Sequence, residues 1–273
     1  MRALRRLIAF AAALPLLAPA HPAHAQSDRY ANSETAPRER EAKEMARVRP
    51  LIEAERLRPR LAGTWQVEKT VAALMTGEGK LPPMNAASRR LYNQRVAARK
   101  AGRSGDPVEL CLPPGTPRSL FIAAPFIITQ TPVKVTFFQQ YQHLVRHVYL
   151  DGPLKTEDLD PLWQGTSSGR WEGDTLVVET SGFNGELWLD QAGLPQSEHM
   201  LVTERFRLID AGTLEDAITI DDRATYTAPW NTRVRFRRLP DDTLFDDDRC
   251  NDKFLEVPLK EVTAMPQGGA PPP

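Results

Sequence analysis

Three charged residues interrupt strand faces that are otherwise apolar. Arg146 shares a face of the segment His143–Leu150 with aliphatic residues, because side chains of a strand alternate between two faces. Glu204 and Asp216 break the apolar rows of two later strand-like segments in the same way. A buried charge is costly unless it is paired, hydrogen-bonded or neutralised. The pattern predicts either polar anchors in a ligand cavity, or an internal structural salt bridge or rim positions.

Acid–base chemistry is one use of such a cluster. Glu204 would act as a general base with a pKa raised by burial, His143 as the acid partner and Arg146 as the stabiliser of an anion. This hypothesis describes a cofactor-free lyase, isomerase or hydrolase, and it requires Glu204 and His143 to reach one cavity.

Ligand binding is the other use. The connection Gly182–Gly193 is long and aromatic, so it could stack on a ligand or close a barrel end as a hydrophobic lid. The candidate ligand-binding residues are Tyr141, Trp188, Asp190, Glu198 and Asp216.

The sequence contains few residues or motifs that are typical of metal or cofactor sites. His143 and His147 lie in a segment of strand formers, where they would stand about 13 Å apart and could not share one ion. The Gly-rich phosphate loops, the nucleophile elbow and the zinc-protease motif are missing from the sequence. We therefore expect neither a metal nor a cofactor.

The N-terminus has the features of an export signal. Arg2, Arg5 and Arg6 precede an apolar run that ends at an A-x-A site, Ala23 to Ala25. We expect cleavage after Ala25, a periplasmic or secreted mature protein, and no membrane span in the mature chain.

The two cysteines support this location. Cys111 and Cys250 have no zinc-ligand spacing, and an even pair in an oxidising compartment predicts one disulfide.

Composition and local patterns divide the rest of the chain. Lys+Arg and Asp+Glu both number 35 among 273 residues, so the basic excess that nucleic-acid binding needs is missing. We predict a charged, partly helical arm over 26–60, with a helix at Glu39–Val48 that Pro50 ends, then a domain over 61–262 and a disordered tail over 263–273. Oligomeric state cannot be inferred.

The domain is strand-rich, with one convincing helix at Asn85–Ala101. The predicted strands are Gly63–Thr70, Leu120–Gln130, Val133–Gln140, His143–Leu150, Thr166–Trp171, Thr175–Thr180, Met200–Ile209, Thr213–Asp221, Trp230–Arg238 and Thr243–Arg249. Short strands joined by tight turns favour an antiparallel meander closed into a barrel, with a β-sandwich as the alternative.

Two resemblances add to this reading. Gly63-Thr64-Trp65 resembles the opening strand of lipocalin-like (calycin) barrels, in which such a tryptophan packs across the barrel base. Three ordered motifs, Gly169–Asn184, Cys111–Gly115 and Val202–Phe206, resemble a large uncharacterised family of secreted bacterial proteins with a GRWEGDTLVV-type motif. That resemblance implies export and a shared fold. The positions that match it include His143, Arg146, Trp188, Asp190, Ser197, Glu198 and Glu204.

Three functions follow as hypotheses. The first is a periplasmic β-barrel that binds a small, partly apolar molecule in its interior, with Arg146 and Glu204 fixing its polar ends. The second is the acid–base enzyme in the same cavity. The third is an envelope interaction protein that uses the charged arm.

Overall fold

The computed structural model describes residues 35–56, 58–150, 152 and 160–246. The chain divides into two units after Arg47. Helix α1 spans Thr35–Glu55. It is longer than the predicted helix Glu39–Val48, because Pro50 lies inside the helix and does not end it. A proline removes one hydrogen bond from the helix ladder, and the remaining bonds continue past it. The predicted signal peptide and C-terminal tail lie outside the described residues.

The second unit contains a β-barrel and helix α2. Helix α2 spans Ala86–Lys100, and the side chain of Asn85 caps it by accepting a hydrogen bond from the Ser88 amide. The strands are β1 Gly63–Val67, β2 Phe126–Gln130, β3 Lys134–Gln139, β4 Val145–Tyr149, β5 Thr166–Glu172, β6 Thr175–Ser181, β7 Leu201–Leu208, β8 Thr213–Asp221 and β9 Trp230–Leu239. Within the described residues these nine strands close into a barrel in chain order, which confirms the predicted fold class.

Two predicted strands are corrected. The strand predicted from Leu120 begins only at Phe126, because Pro125 has no amide hydrogen for the ladder and a short 3-10 helix occupies Arg118–Phe121. The strand predicted at Thr243–Arg249 does not form over residues 243–246, the part that is described. Since β9 already pairs with both β8 and β1, no free edge of β9 is left for it.

The odd number of strands determines the weakest point of the barrel. Neighbours in a closed ring of nine cannot all run antiparallel, and here β4 and β5 are the parallel pair. Their contact is limited to two residue pairs, Val148 with Ser167 and Tyr149 with Ser168. We call this short contact the seam. Parallel neighbours cannot be joined by a tight turn, so a longer connection separates β4 from β5 in the chain.

Aromatic side chains fill the centre of the barrel. The ring of Phe126 contacts those of Phe236 and Phe137, with centroids 5.2 and 6.2 Å apart, and Phe137 contacts Phe206 at 5.2 Å. All four are buried. The centre of the barrel is therefore packed.

Trp65 anchors the end of the barrel at which β1 begins. Its indole nitrogen donates to the Leu61 carbonyl at 2.9 Å, and the Arg238 guanidinium lies over its ring at 4.2 Å. Arg238 also donates to the Ala62 carbonyl, so side chains as well as backbone bonds join β1 and β9 at this end of their ladder.

Phe137 and Phe138 provide a test of the inward and outward faces of β3. We expect Phe137→Ala to lower the free energy of unfolding by about 3–5 kcal/mol, because it leaves a cavity in the packed centre. The neighbouring Phe138→Ala, on the half-buried outer face, should cost only about 1 kcal/mol. Urea unfolding of the two variants makes the comparison, and equal losses would contradict the assigned faces.

Candidate functional site

The three charged residues predicted from the strand pattern do meet inside the barrel. Arg146 of β4, Glu204 of β7 and Asp216 of β8 are all buried, with Glu204 and Asp216 at 0% exposure. Together with Ser167 of β5 and Thr180 of β6 they form a polar group that we call the interior cluster.

Arg146 organises this cluster. Its Nη1 donates to Oε1 of Glu204 at 3.0 Å, and Nη2 donates to Oε2 of the same carboxylate. Its Nε donates to Ser167 Oγ at 3.0 Å, and Nη2 also donates to Thr180 Oγ1 at 2.8 Å. A guanidinium has five N–H donors, so one donor on Nη1 has no partner among the described residues.

Neighbouring groups stabilise the positive charge of Arg146 inside the barrel. The bidentate pairing compensates part of the cost of removing Arg146 and Glu204 from water, and the two hydroxyls satisfy further donors. The ring of Phe137 lies 5.6 Å from the guanidinium carbon and adds a cation–π contact.

Asp216 is the unbalanced member of the cluster. Neither of its carboxylate oxygens has a hydrogen-bond partner of ordinary geometry among the described residues. Burial raises the pKa of Asp216 well above its usual range, and the Glu204 carboxylate raises it further, against smaller lowering effects of Arg146 and the Arg205 amide. A protonated Asp216 leaves the interior cluster neutral, since Arg146 balances Glu204.

A cleft of about 570 Å³ lies at the seam and reaches the cluster. Its lining includes Arg146 and Ser167, which belong to both. The apolar part of its wall comes from Pro113, Val145, Tyr149, Leu162 and Trp163. The cleft therefore joins an apolar surface to a polar inner end, the combination typical of small-molecule sites.

The polar groups of the cleft carry little charge at neutral pH. Burial lowers the pKa of His147, and nearby Lys134 lowers it further, so its imidazole is neutral. Its Nδ1 lies 3.1 Å from Thr136 Oγ1. Gln164 also lines the cleft, and its Oε1 is buried without a hydrogen-bond partner among the described residues. The inner end thus consists of the Arg146 guanidinium, which Glu204 already neutralises, and polar groups without charge.

The structure does not bring His143 to Glu204. His143 is exposed in the turn that precedes β4, whereas Glu204 is fully buried in the barrel. Neither His143 nor Glu204 lines the cleft, so the proposed acid–base pair does not meet there.

The other sequence candidates occupy structural positions in the loops. Asp190 is buried and accepts from the amides of Leu74, Gly193 and Leu194, so it holds the loop together. Burial raises the pKa of Asp190, and these three amides oppose the rise. Trp188 is buried under the Arg95 guanidinium, whose carbon lies 4.6 Å from the ring centroid.

Two candidates remain at the loop surface. Tyr141 is half-buried in the turn before β4, and Glu198 is exposed, with its carboxylate 3.8 Å from His199. Neither lines the cleft. Of the five predicted ligand-binding residues, only Asp216 joins the interior cluster.

Sequence reasoning missed the residues that form the cleft itself. Leu162, Trp163 and Gln164 precede β5 in a segment with neither strand nor helix periodicity. Ser167 and Thr180 were overlooked because hydroxyl residues are common on both faces of strands. Their direct pairing across β5 and β6 was the available signal, since it places both hydroxyls beside Arg146.

The predicted disulfide stays a prediction. Cys111 ends a short 3-10 helix, Pro107–Leu110, with a left-handed backbone at φ 63°. Cys250 lies outside the described residues.

In comparisons with known proteins, no family model and no curated protein matches the chain. The likeness to secreted bacterial proteins therefore stays a resemblance carried by the three motifs. Among the described residues, no helix is both long and apolar enough to cross a membrane.

The Arg146–Glu204 pair should be strongly coupled. We expect Arg146→Met or Glu204→Met alone to lower the free energy of unfolding by about 3–5 kcal/mol, because each leaves an unpaired buried charge. The double variant should lose far less than the sum of the two. Urea unfolding measures the cycle, and Arg170→Met, in an exposed ion pair, is the control, with an expected loss below about 1 kcal/mol. Additive losses would refute the coupling.

Asp216 should make stability depend on pH. Its pKa is higher in the folded than in the unfolded chain, so the folded state binds the proton more tightly. The free energy of unfolding should fall as pH rises from about 4 through the raised pKa. Asp216→Asn should flatten this slope, whereas Asp174→Asn in an exposed turn should not. An unchanged slope in Asp216→Asn would show that another group is responsible.

Proposed function

We propose that this protein is an exported β-barrel that binds a small, partly apolar and uncharged molecule in the cleft at the seam. The observation that carries the proposal is the continuity between the cleft and Arg146. A mostly apolar space of about 570 Å³ ends at a buried cation that keeps one uncommitted N–H donor.

The charge of the site supports an uncharged ligand. Glu204 already neutralises Arg146, so an anionic ligand would add an unbalanced charge beside a buried carboxylate. A carbonyl or hydroxyl oxygen could accept the remaining N–H of Arg146 without that penalty.

The site differs in position from the interior cavity expected from the sequence. Four phenylalanine rings occupy the barrel centre, so the proposed ligand lies in the wall of the barrel. Arg146 keeps the role of polar anchor that the sequence suggested for it, whereas Glu204 orients Arg146 instead of contacting the ligand.

Export to the periplasm or outside the cell is part of the proposal. It is supported by the charged, apolar and A-x-A regions of residues 1–25 in the order of a signal peptide. The even cysteine pair agrees with this location.

A fluorescent probe tests the binding site. We expect N-phenyl-1-naphthylamine, which is apolar and uncharged, to bind saturably and to gain fluorescence on transfer from water. Leu162→Glu should weaken binding at least about tenfold, because it places a carboxylate in the apolar wall. Fluorescence titration gives the dissociation constants.

Leu201→Glu is the matched control, because Leu201 is exposed on β7 and does not line the cleft. It should bind the probe like the unmodified protein. Thermal unfolding of both variants verifies that they are folded. Binding that does not saturate, or that is equally strong in both variants, would remove the cleft as the ligand site.

A further inference from the structure

The seam leaves part of the β4 backbone unpaired. The amide of Gln139 donates to the Leu144 carbonyl, and the amide of Leu150 donates to the Val133 carbonyl. Residues 144, 146, 148 and 150 therefore direct their backbone groups to β3, and residues 145, 147 and 149 direct theirs to the seam. The two seam pairs employ the carbonyl of His147 and both backbone groups of Tyr149.

Three backbone groups remain on this edge. The amides of Val145 and His147 and the carbonyl of Val145 have no partner among the described residues. A continued parallel ladder would pair the His147 amide and the Val145 carbonyl with Gly165, and the Val145 amide with the Trp163 carbonyl. The Gly165 amide instead donates to the Leu162 carbonyl at 3.3 Å, in a left-handed conformation with φ 65°.

Gly165 fixes this end of the ladder. A Cβ at this position would lie 2.8 Å from the Ser181 carbonyl and 2.9 Å from the Phe183 ring, so only glycine fits. The local turn at Leu162–Gly165 thus ends the pairing and opens the cleft.

The unpaired edge and the cleft together resemble the sheet edges to which an extended peptide binds as an additional strand. Two donors and one acceptor lie along three residues of β4, in the spacing of an extended backbone. The outward side chains of Val145 and Tyr149 are 45% and 38% exposed beside it. Such an arrangement recognises a peptide backbone by its amides and apolar side chains by the adjoining wall.

We propose that the free edge of β4 binds a short, extended, uncharged peptide segment with apolar side chains. The inference rests on the proposed function, because it names the class of ligand that occupies the same cleft. The peptide adds a partial strand next to Val145–His147, and one of its carbonyls accepts the free N–H of Arg146.

The test uses blocked tripeptides with the full chain. We expect acetyl-Val-Phe-Val-amide to displace N-phenyl-1-naphthylamine from the cleft. The same tripeptide with every backbone amide N-methylated should bind at least about tenfold more weakly, because it cannot donate to the Val145 carbonyl. Equal affinity of the two peptides would overturn the inference.

A variant of the protein removes one backbone donor from the edge of β4. Val145→Pro deletes an amide that does not bond to β3, at the first position of a strand, where proline is tolerated. Leu144 already has φ −70° and ψ 138°, which suit a residue before proline. Val145→Pro should weaken binding of the tripeptide several-fold relative to Val145→Ala, which keeps the amide.

The outcomes separate the two proposals. Saturable naphthylamine binding with no tripeptide binding would overturn the peptide class and leave the proposed function standing. Failure of both probes would overturn both. Concentration-dependent self-association in the ultracentrifuge that is lost in Val145→Pro and retained in Val145→Ala would assign the edge to a second copy of the chain and also overturn the inference.

Discussion

A closed ring of nine strands cannot alternate direction at every step, and this parity constraint shapes the molecule. One neighbouring pair has to run parallel, and a parallel neighbour requires the chain to return to the starting end before it pairs. The returning chain meets β4 in only two residue pairs. The cleft, the free edge of β4 and the access to Arg146 all lie at this place in the wall.

The interior cluster spans the same region of the barrel. Arg146 on β4 bonds to residues on β5, β6 and β7, so its side chain crosses the seam that the backbone pairs only briefly. The Arg146–Glu204 ion pair therefore also holds the barrel closed, because it connects strands on both sides of the seam. The need for polar partners at this depth explains why Ser167 and Thr180 lie beside it.

The sequence was sufficient to predict which charged side chains point into the barrel. It was not sufficient to predict the seam between β4 and β5. Alternation placed Arg146, Glu204 and Asp216 inside, because a strand has a period of two whatever its neighbours are. The seam depends on the number of strands, and the tenth strand predicted at Thr243–Arg249 would have allowed antiparallel pairing throughout. The cleft residues Leu162 to Gly165 lie in an irregular segment, whose path is set by close contacts of Gly165 that no local pattern encodes.

The short contact between β4 and β5 also bears on how the barrel could come apart. The junction of β1 with β9, where the two ends of the meander meet, has four residue pairs and the stacked Arg238, so it is the stronger closure. Rupture between β4 and β5 would unroll the ring into a flat sheet without releasing either chain terminus. Its two new borders would come from the middle of the chain and expose unsatisfied amides, which are templates for fibre-like growth between molecules. The hydrogen bonds of Arg146 to β5, β6 and β7 oppose this rupture.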